Sequence, residues 1–203
     1  GKIVRPWRMD DPDLMRFAPG YAVTEPLRPA LDWSERGGFG AAVEMCNNNG
    51  TCRKLAGGAM CPSFRVTRDE QHLTRGRANS LRLAISGQLG TEAFVSAEMK
   101  AAMALCVGCK ACRHECPTGV DMAKMKTEFL HHYHARHGLP LRERLVAWLP
   151  RYAPYAARLR GLLNLRDRLP GRPALSERLL GLAAGRPLPV WHRPWRETGR
   201  VAV

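Results

Sequence analysis

Cysteine spacing constrains this 203-residue chain more than any other feature of its sequence. One group reads CxxCxxCxxxCP, with its cysteines at Cys106, Cys109, Cys112 and Cys116 and a proline directly after the last. In bacterial iron–sulfur proteins this spacing places three close thiolates around one cubane, while the fourth cysteine ligates the neighbouring cluster. Zinc fingers use two separated ligand pairs instead, so the run favours a 4Fe-4S cluster over a zinc site. The first hypothesis is therefore electron transfer.

The other cysteine group is less regular. It consists of Cys46, Cys52 and Cys61, and Pro62 follows the last of them. A regular run that began at Cys46 would carry a cysteine at position 49, where this chain has Asn49. Cys61 with its proline matches the remote fourth position of the pattern, although the gap before it is longer than usual. This group therefore lacks one thiolate.

The exchange of fourth ligands between the groups predicts two sites. The first has a complete set of four thiolates: Cys61, Cys106, Cys109 and Cys112. The second is incomplete, with three: Cys46, Cys52 and Cys116. The ligand count leaves three alternatives open for this second site, namely a 3Fe-4S cluster, a 4Fe-4S cluster with a non-cysteine ligand, or no cluster.

Apolar periodicity and helix stop residues predict a mainly α protein, with the arrangement of an α-helical ferredoxin. Residues 1–40 are rich in Pro and Gly, which predicts an irregular connection. Residues 41–138 are predicted to form the iron–sulfur domain. Residues 139–203 are predicted to form a basic helical extension with a tail. Thr118 and Asp121 have the spacing of a capping box that opens a helix ending near His137. The other predicted helices cover residues 78–89, 92–105, 141–149, 152–163 and 175–183.

Four histidines near the end of the 118–137 helix suggest a second kind of metal site: His131, His132, His134 and His137. No carboxylate or cysteine accompanies them in an obvious ligand set. We therefore interpret them as a wet helix surface. Met122 and Met125 on the same helix are interpreted as core packing, because thioethers are weak partners for iron–sulfur clusters.

Charge and hydropathy limit the function classes. The formal net charge is +14, and from Arg136 onward the chain has fourteen Arg, no Lys and four acidic residues. Such a surface could bind an acidic partner, an anionic lipid face or nucleic acid. Because the arginines are dispersed, solvated helix faces or complementarity to acidic domains is the preferred interpretation. The sequence shows no membrane-spanning stretch and no secretory signal, and its odd cysteine count fits a reducing compartment, so we expect a cytoplasmic protein. Peripheral contact with the inner face of the membrane stays open.

Two motifs carry a family resemblance: Met60-Cys61-Pro62-Ser63-Phe64, and Thr74-Arg75-Gly76-Arg77-Ala78-Asn79. Together with residues 106–125 and 138–158, they resemble the iron–sulfur region of the FAD-linked oxidases, the group of D-lactate dehydrogenase, glycolate oxidase and D-2-hydroxyglutarate dehydrogenase. Residues 1–21 look like the end of the preceding FAD-linked oxidase domain. The resemblance implies that a flavin oxidises a D-2-hydroxy acid and that this region passes the electrons onward.

The sequence departs from that family pattern because it offers no flavin-binding segment. We therefore expect an internal piece of a larger oxidoreductase, with FAD in the missing portion and no catalytic residue to assign here. The implied partners are a flavin-containing domain or subunit and a downstream acceptor, which is a quinone, a carrier protein or a Cys-rich domain. A stand-alone subunit resembling those of heterodisulfide reductases or glycerol-phosphate dehydrogenases is the alternative. A nucleic-acid-binding protein with a structural cluster is a remote one, and no nucleic acid is expected.

The resemblance also implies that Arg75 and Arg77 lie against the clusters. Two guanidinium groups at a helix start could offset cluster charge or secure the first cysteine loop. Ion pairing with Asp69 or Glu70 is the alternative role for these arginines.

Overall fold

The computed structural model describes residues 20–23, 28–169 and 171–193, and within them the chain forms helices and turns with no strand. The expectation of a mainly α protein is confirmed. Most of the predicted irregular connection, residues 1–19 and 24–27, lies outside the described residues. The chain divides into two compact units, Gly1–His137 and Gly138–Val203.

Short helices separated by loops make up the first unit. In chain order they are α1 (Phe39–Glu44), α2 (Pro62–Thr67), α3 (Thr74–Ile85), α4 (Ala97–Ala104), α5 (Ala111–Glu115) and α6 (Met122–His137). Single 3₁₀ turns precede several of them, at Ser34–Arg36, Thr51–Arg53, Glu70–His72 and Ala93–Val95. This order places every cysteine at a helix end or in a loop or turn next to one.

A chain of aromatic rings runs through the core of the first unit. Trp33 packs edge-on against Phe39 at 5.2 Å between ring centroids, Phe39 against Phe94 at 5.9 Å, and Phe94 against Phe129 at 6.0 Å. All four side chains are buried. Edge-to-face pairs at these separations add stability beyond the area they bury. They join residues from four separate segments of the unit.

A buried carboxylate also fastens the segment before α1 to α6. Glu128 accepts hydrogen bonds from the backbone N–H groups of Ala30 and Leu31, at 2.7 and 2.9 Å, and from the indole N–H of Trp33, at 2.9 Å. The His132 imidazole lies 2.8 Å from the same carboxylate. Burial acts to raise the pKa of Glu128, but these hydrogen bonds outweigh it and the pKa is lowered. His132 is therefore buried and bonded, so its interpretation as part of a wet surface was wrong.

Side-chain caps set helix starts that periodicity misplaced. The helix predicted over residues 92–105 is a 3₁₀ turn followed by α4, because the Ser96 hydroxyl accepts the N–H of Met99 at 3.1 Å and starts a new helix there. The capping box at Thr118 was also wrong. Asp121 caps α6 by accepting the N–H of Lys124 at 3.0 Å. Helix α3 begins at Thr74, four residues before the predicted start.

The second unit is helical but has little core. Its helices are α7 (Leu141–Ala147), α8 (Leu149–Ala156), α9 (Arg160–Leu163) and α10 (Arg172–Leu180). Pro154 lies inside α8. Arg166 binds both α10 and the loop after it. It donates to the Ser176 hydroxyl in α10 at 2.7 Å and to the loop carbonyls of Leu182 at 3.2 Å and Ala183 at 3.0 Å. In the part of the chain that the structure describes, no helix is both long and apolar enough to cross a bilayer.

Candidate metal centre

One cavity of the first unit is lined by all four cysteines of the complete set, Cys61, Cys106, Cys109 and Cys112. They arrive from different elements. Cys61 precedes α2, Cys106 follows α4, and Cys112 lies in the first turn of α5. A cubane needs thiolates from several directions, and the short helices supply them. That these cysteines are the ligands of a cluster stays a prediction.

The loop between Cys106 and Cys112 curves around this cavity. Gly108 has a φ of 67° and Lys110 a φ of 59°, so two residues of the loop adopt left-handed conformations. This region is easy for glycine and unfavourable for lysine, which indicates a loop held in its shape by its surroundings. Cys109 lies exposed at the turn, whereas Cys112 is buried. The cavity is thus closed on one side and reaches the surface on the other.

Polar groups lie against the buried sulfurs of this set. The backbone N–H of Met122 donates to Cys112 Sγ at 3.4 Å, and the Thr74 hydroxyl lies 3.0 Å from Cys61 Sγ. Burial raises the pKa of the Cys112 thiol, and the Met122 amide acts in the opposite direction. Amide and hydroxyl donors to sulfur are the contacts that tune iron–sulfur ligands. The donor set fits a thiolate-bound cluster.

The incomplete set is spread over two regions. Cys46, at the end of α1, and Cys52, in the Thr51–Arg53 turn, are buried and close enough to interact electrostatically. Burial raises the pKa of the Cys52 thiol, and the Arg75 backbone N–H opposes this change. Cys116 follows α5, and its sulfur lies 3.2 Å from the Thr118 hydroxyl. Burial acts to raise the Cys116 pKa, but hydrogen bonds from Thr118 and the following backbone amides outweigh it and the pKa is lowered.

Asparagines fill the loop between Cys46 and Cys52. The side chain of Asn49 is bonded within its own turn, donating to Asn47 Oδ1 at 2.6 Å and accepting the N–H of Thr51 at 2.9 Å. The amide oxygen of Asn48 lies 3.8 Å from Cys46 Sγ and accepts from Asn79 at 2.9 Å. Asn48 also has a φ of 63°. Sequence spacing selected Asn49 for the missing corner, but the amide oxygen near the Cys46 thiol belongs to Asn48.

The two arginines of the Arg-Gly-Arg motif have different surroundings. Arg75 is partly exposed and forms an ion pair with Glu70 at 2.5 Å, and its side chain is near Cys52 and Cys46. Arg77 is 1% exposed and lines the cavity of the complete cysteine set. Burial lowers the Arg77 pKa, while the nearby Cys106, Cys61 and Cys112 act to raise it. One arginine of the motif therefore lies near each cysteine set: Arg75 near the incomplete set and Arg77 near the complete set.

Two contacts that the sequence did not reveal hold the cysteine segments together. Glu115, next to Cys116, accepts the backbone N–H groups of Ala59 and Met60 at 2.5 and 3.2 Å, directly before Cys61. At Gly76, an added Cβ would overlap the backbone carbonyl of Glu70. The glycine therefore allows α3 to approach the Glu70–His72 turn closely. Sequence separation, 56 residues for the Glu115–Ala59 bond, explains why that bond was not predicted.

Single-ion sites are a separate matter. Over residues 20–23, 28–169 and 171–193, no group of three or more His, Cys, Asp or Glu side chains is close enough to hold one metal ion. His137 binds the Val95 carbonyl at 2.8 Å, and His132 binds Glu128. Thiolates around a cubane each bind a different iron, so they stand farther apart than the ligands of one ion.

Comparison with known families decides what kind of centre this is. Residues 42–120 match the family of the 4Fe-4S dicluster domain, which spans both cysteine groups. Residues 42–120 of this chain therefore have the pattern of a 4Fe-4S dicluster domain. Its iron–sulfur character, predicted from spacing, is confirmed.

Similarity to curated proteins extends beyond this domain. The chain is 32% identical to a D-2-hydroxyglutarate dehydrogenase of Pantoea ananatis over an alignment that covers 82% of the chain and 21% of the relative. Proteins with the same name from Pseudomonas putida and Escherichia coli are 32% and 31% identical, over 62% and 68% of the chain and 16% and 17% of the relative. The resemblance to the FAD-linked oxidase group is confirmed. The chain spans about a fifth of the length of these relatives, and no solved structure matches it.

Proposed function

We propose that this chain is the electron-transfer module of a FAD-linked D-2-hydroxyacid dehydrogenase of the lactate, glycolate or 2-hydroxyglutarate type. The observation that carries the proposal is the cavity in which Cys61, Cys106, Cys109 and Cys112 meet, inside a 4Fe-4S dicluster domain. Similarity to D-2-hydroxyglutarate dehydrogenases supports the hydroxyacid part. FAD would be held by a domain or subunit outside this chain and would perform the substrate chemistry.

When bound, a 4Fe-4S cluster supplies a one-electron redox centre between the flavin and the acceptor. The residues of this chain hold and insulate it. Cys61 and Cys112 lie on the buried side of the cavity, next to the Thr74 hydroxyl and the Met122 N–H. Cys109 lies at the exposed edge. We propose that electrons cross the surface at the Cys109 loop. The acceptor there is a quinone, a carrier protein or a Cys-rich domain, in a cytoplasmic setting that includes the inner face of the membrane.

Iron content tests the proposal. Protein prepared or reconstituted without oxygen should hold about four to eight irons per chain, and its visible absorption should bleach on reduction with dithionite. Cys112→Ser should remove the cluster of the complete set. Stoichiometric zinc with no iron after anaerobic preparation would contradict the proposal.

For the incomplete set, we propose that Cys46, Cys52 and Cys116 bind a second cluster whose remaining corner faces Asn48. The position of its amide oxygen near Cys46 Sγ supports Asn48 over Asn49. Asn48→Ala should therefore change the EPR spectrum of the oxidised protein, whereas the matched control Asn49→Ala should leave it unchanged. The reverse pattern would assign the corner to Asn49. If Cys52→Ser gives the same EPR spectrum as the wild-type protein, this set holds no cluster.

A further inference from the structure

Arg77 is a fully buried cation that has no anion of its own. Its side chain is 1% exposed. Among the described residues its charged neighbours are Cys106, Cys61 and Cys112, and no carboxylate is paired with it. Its hydrogen bonds go to neutral oxygens: Nε donates to the Ala102 carbonyl at 2.8 Å, and Nη2 donates to the Ser63 hydroxyl at 3.2 Å. The guanidinium is thus hydrogen-bonded but not neutralised.

Such an arrangement is costly by itself. A buried charge without a counter-charge loses hydration that neutral acceptors replace only in part. Lysine or histidine could relieve the cost by losing a proton, but a guanidinium keeps its proton under all ordinary conditions. The charge of Arg77 therefore needs an anion inside the folded unit.

The cysteine cavity is the place where an anion can lie. Its lining includes Arg77 and the four cysteines of the complete set, and it contains no carboxylate. The other cation of the lining, Lys110, is half exposed and pairs with Asp121 at 3.3 Å. A cluster with four thiolate ligands is an anion, so it would supply what Arg77 lacks. The buried cation and the anionic cofactor complement each other.

Neighbouring arginines on α3 differ from Arg77 in their position relative to the cavity. Arg75 has Glu70 as its ion-pair partner. Arg82 is also buried, but it lies against the ring of Tyr21 at 5.8 Å and does not line the cavity. Of these three side chains, Arg77 alone lines the cavity.

The hydrogen bonds of the Arg77 side chain place it between the two ligand-bearing segments. Ala102 lies in α4, four residues before Cys106, and Ser63 lies two residues after Cys61. One guanidinium therefore contacts the segment that delivers the remote cysteine and the segment that leads to the cysteine run. A charge at this position acts on the cluster at short range and through little water.

We propose that Arg77 is the internal counter-charge of the cluster bound by Cys61, Cys106, Cys109 and Cys112, favouring its insertion and raising its reduction potential. The potential rises because the reduced cluster carries one more negative charge than the oxidised cluster, and a fixed cation favours that state. This inference rests on the proposed ligand set. It assigns to one residue of the Arg-Gly-Arg motif a role that its neighbour Arg75 does not share.

EPR-monitored redox titration tests the proposal, with all variants made in a Cys52→Ser background so that only the complete set contributes. Arg77→Met removes the positive charge, and Arg77→Lys keeps the charge but lacks the planar guanidinium group. Arg82→Met is the matched control for a buried arginine on the same helix. Arg77→Met should shift the reduction equilibrium at least tenfold toward the oxidised cluster, which corresponds to about 59 mV for one electron. Arg77→Lys and Arg82→Met should each shift it by less than about threefold, since both keep the charge beside the cluster.

Other outcomes are also decisive. An Arg77→Met protein whose potential matches that of Arg82→Met would overturn the proposal. If Arg77→Met binds no iron, Arg77→Lys decides: loading at the parental potential shows that the charge is required, and failure to load shows that the bonds to Ala102 and Ser63 are what matters, which contradicts the proposal. Absence of iron from the parental protein itself would refute the proposed ligand set and the role of Arg77 with it, whereas a loaded parental protein with an unshifted Arg77→Met potential would refute the role of Arg77 alone.

Discussion

The two units of the chain are both helical, yet they are stabilised in different ways. The first unit contains nearly all buried apolar side chains, including the aromatic chain from Trp33 to Phe129. Among the described residues after His137, only Ala157 is buried. The second unit leaves large apolar side chains exposed, among them Trp148 at 54% and Tyr155 at 66%. Its clearest internal tie is polar, from Arg166 to Ser176 and the carbonyls after α10.

This contrast shows that helical periodicity does not by itself produce a core. Short helices such as α7 and α9 are marginal alone and gain stability from packing. In the first unit the loops return each helix to the same centre, where cysteines and aromatic rings are buried together. In the second unit the apolar faces lack that centre within the described residues. Exposed patches of this kind mark interaction surfaces.

Removal of iron should affect the two units most differently. Because metal-binding free energy becomes folding free energy, the chelated protein should lose amide-exchange protection in α3 and α6 by about a hundredfold or more. Protection in α8 and α10 should stay the same. Hydrogen exchange resolved by mass spectrometry measures both in one sample. Equal losses in the two units would contradict the contrast, and no loss in α3 would mean that the apolar core holds the first unit without metal.

Gly76→Ala should give the next largest effect. The added methyl group overlaps the Glu70 carbonyl, so α3 must move away from the Glu70–His72 turn, at a cost of about 1–3 kcal/mol or more. Iron content should fall with it, since Arg75, Arg77 and Thr74 move together. Gly161→Ala in α9 is the matched control, because no atom lies within 4 Å of its added methyl group. Chemical unfolding of both variants gives the comparison, and equal effects would refute the packing argument.

Glu128→Gln tests the polar fastening of the first unit and its pH dependence. The carboxylate accepts from Ala30, Leu31 and Trp33, so neutralising it should cost about 1–3 kcal/mol at neutral pH. The folded-state pKa of Glu128 is lowered from its ordinary value of 4.5, so this stability is present above 4.5 and is lost as pH falls through the folded pKa. Urea unfolding should show the gap between wild type and variant closing in acid. A gap that widens in acid would give Glu128 a raised pKa and contradict the assignment.

Arg166→Met should have the smallest and most local effect. It removes the bonds to Ser176, Leu182 and Ala183, and partly exposed bonds of this kind contribute about 1 kcal/mol. Faster amide exchange is expected around α10, with no change in α3 or in iron content. Loss of iron from this variant would show that the second unit helps to retain the cluster, and it would contradict the independent stabilisation of the two units.

Much of the metal centre was predictable because cysteine spacing is a local property with few chemical solutions. The three-residue repeat at Cys106, Cys109 and Cys112 and the proline after Cys61 were enough to predict the set that lines one cavity. Helix starts were harder, since they depend on single side-chain bonds such as Ser96 to Met99 and Asp121 to Lys124. Periodicity places the apolar face of a helix but not its first residue.

What the sequence determined by itself was the class of cofactor and the mainly helical fold, since both follow from residue types at short spacing. Only the tertiary structure decided which arginine of the Arg-Gly-Arg motif is buried without a carboxylate, and which asparagine approaches Cys46. It also decided that Glu115 joins the two cysteine segments and that Glu128 and His132 lie in the interior. These outcomes depend on burial and on contacts between residues that are distant in the sequence. Desolvation makes a buried charge costly, whereas a partly exposed charge two residues away carries less of that cost.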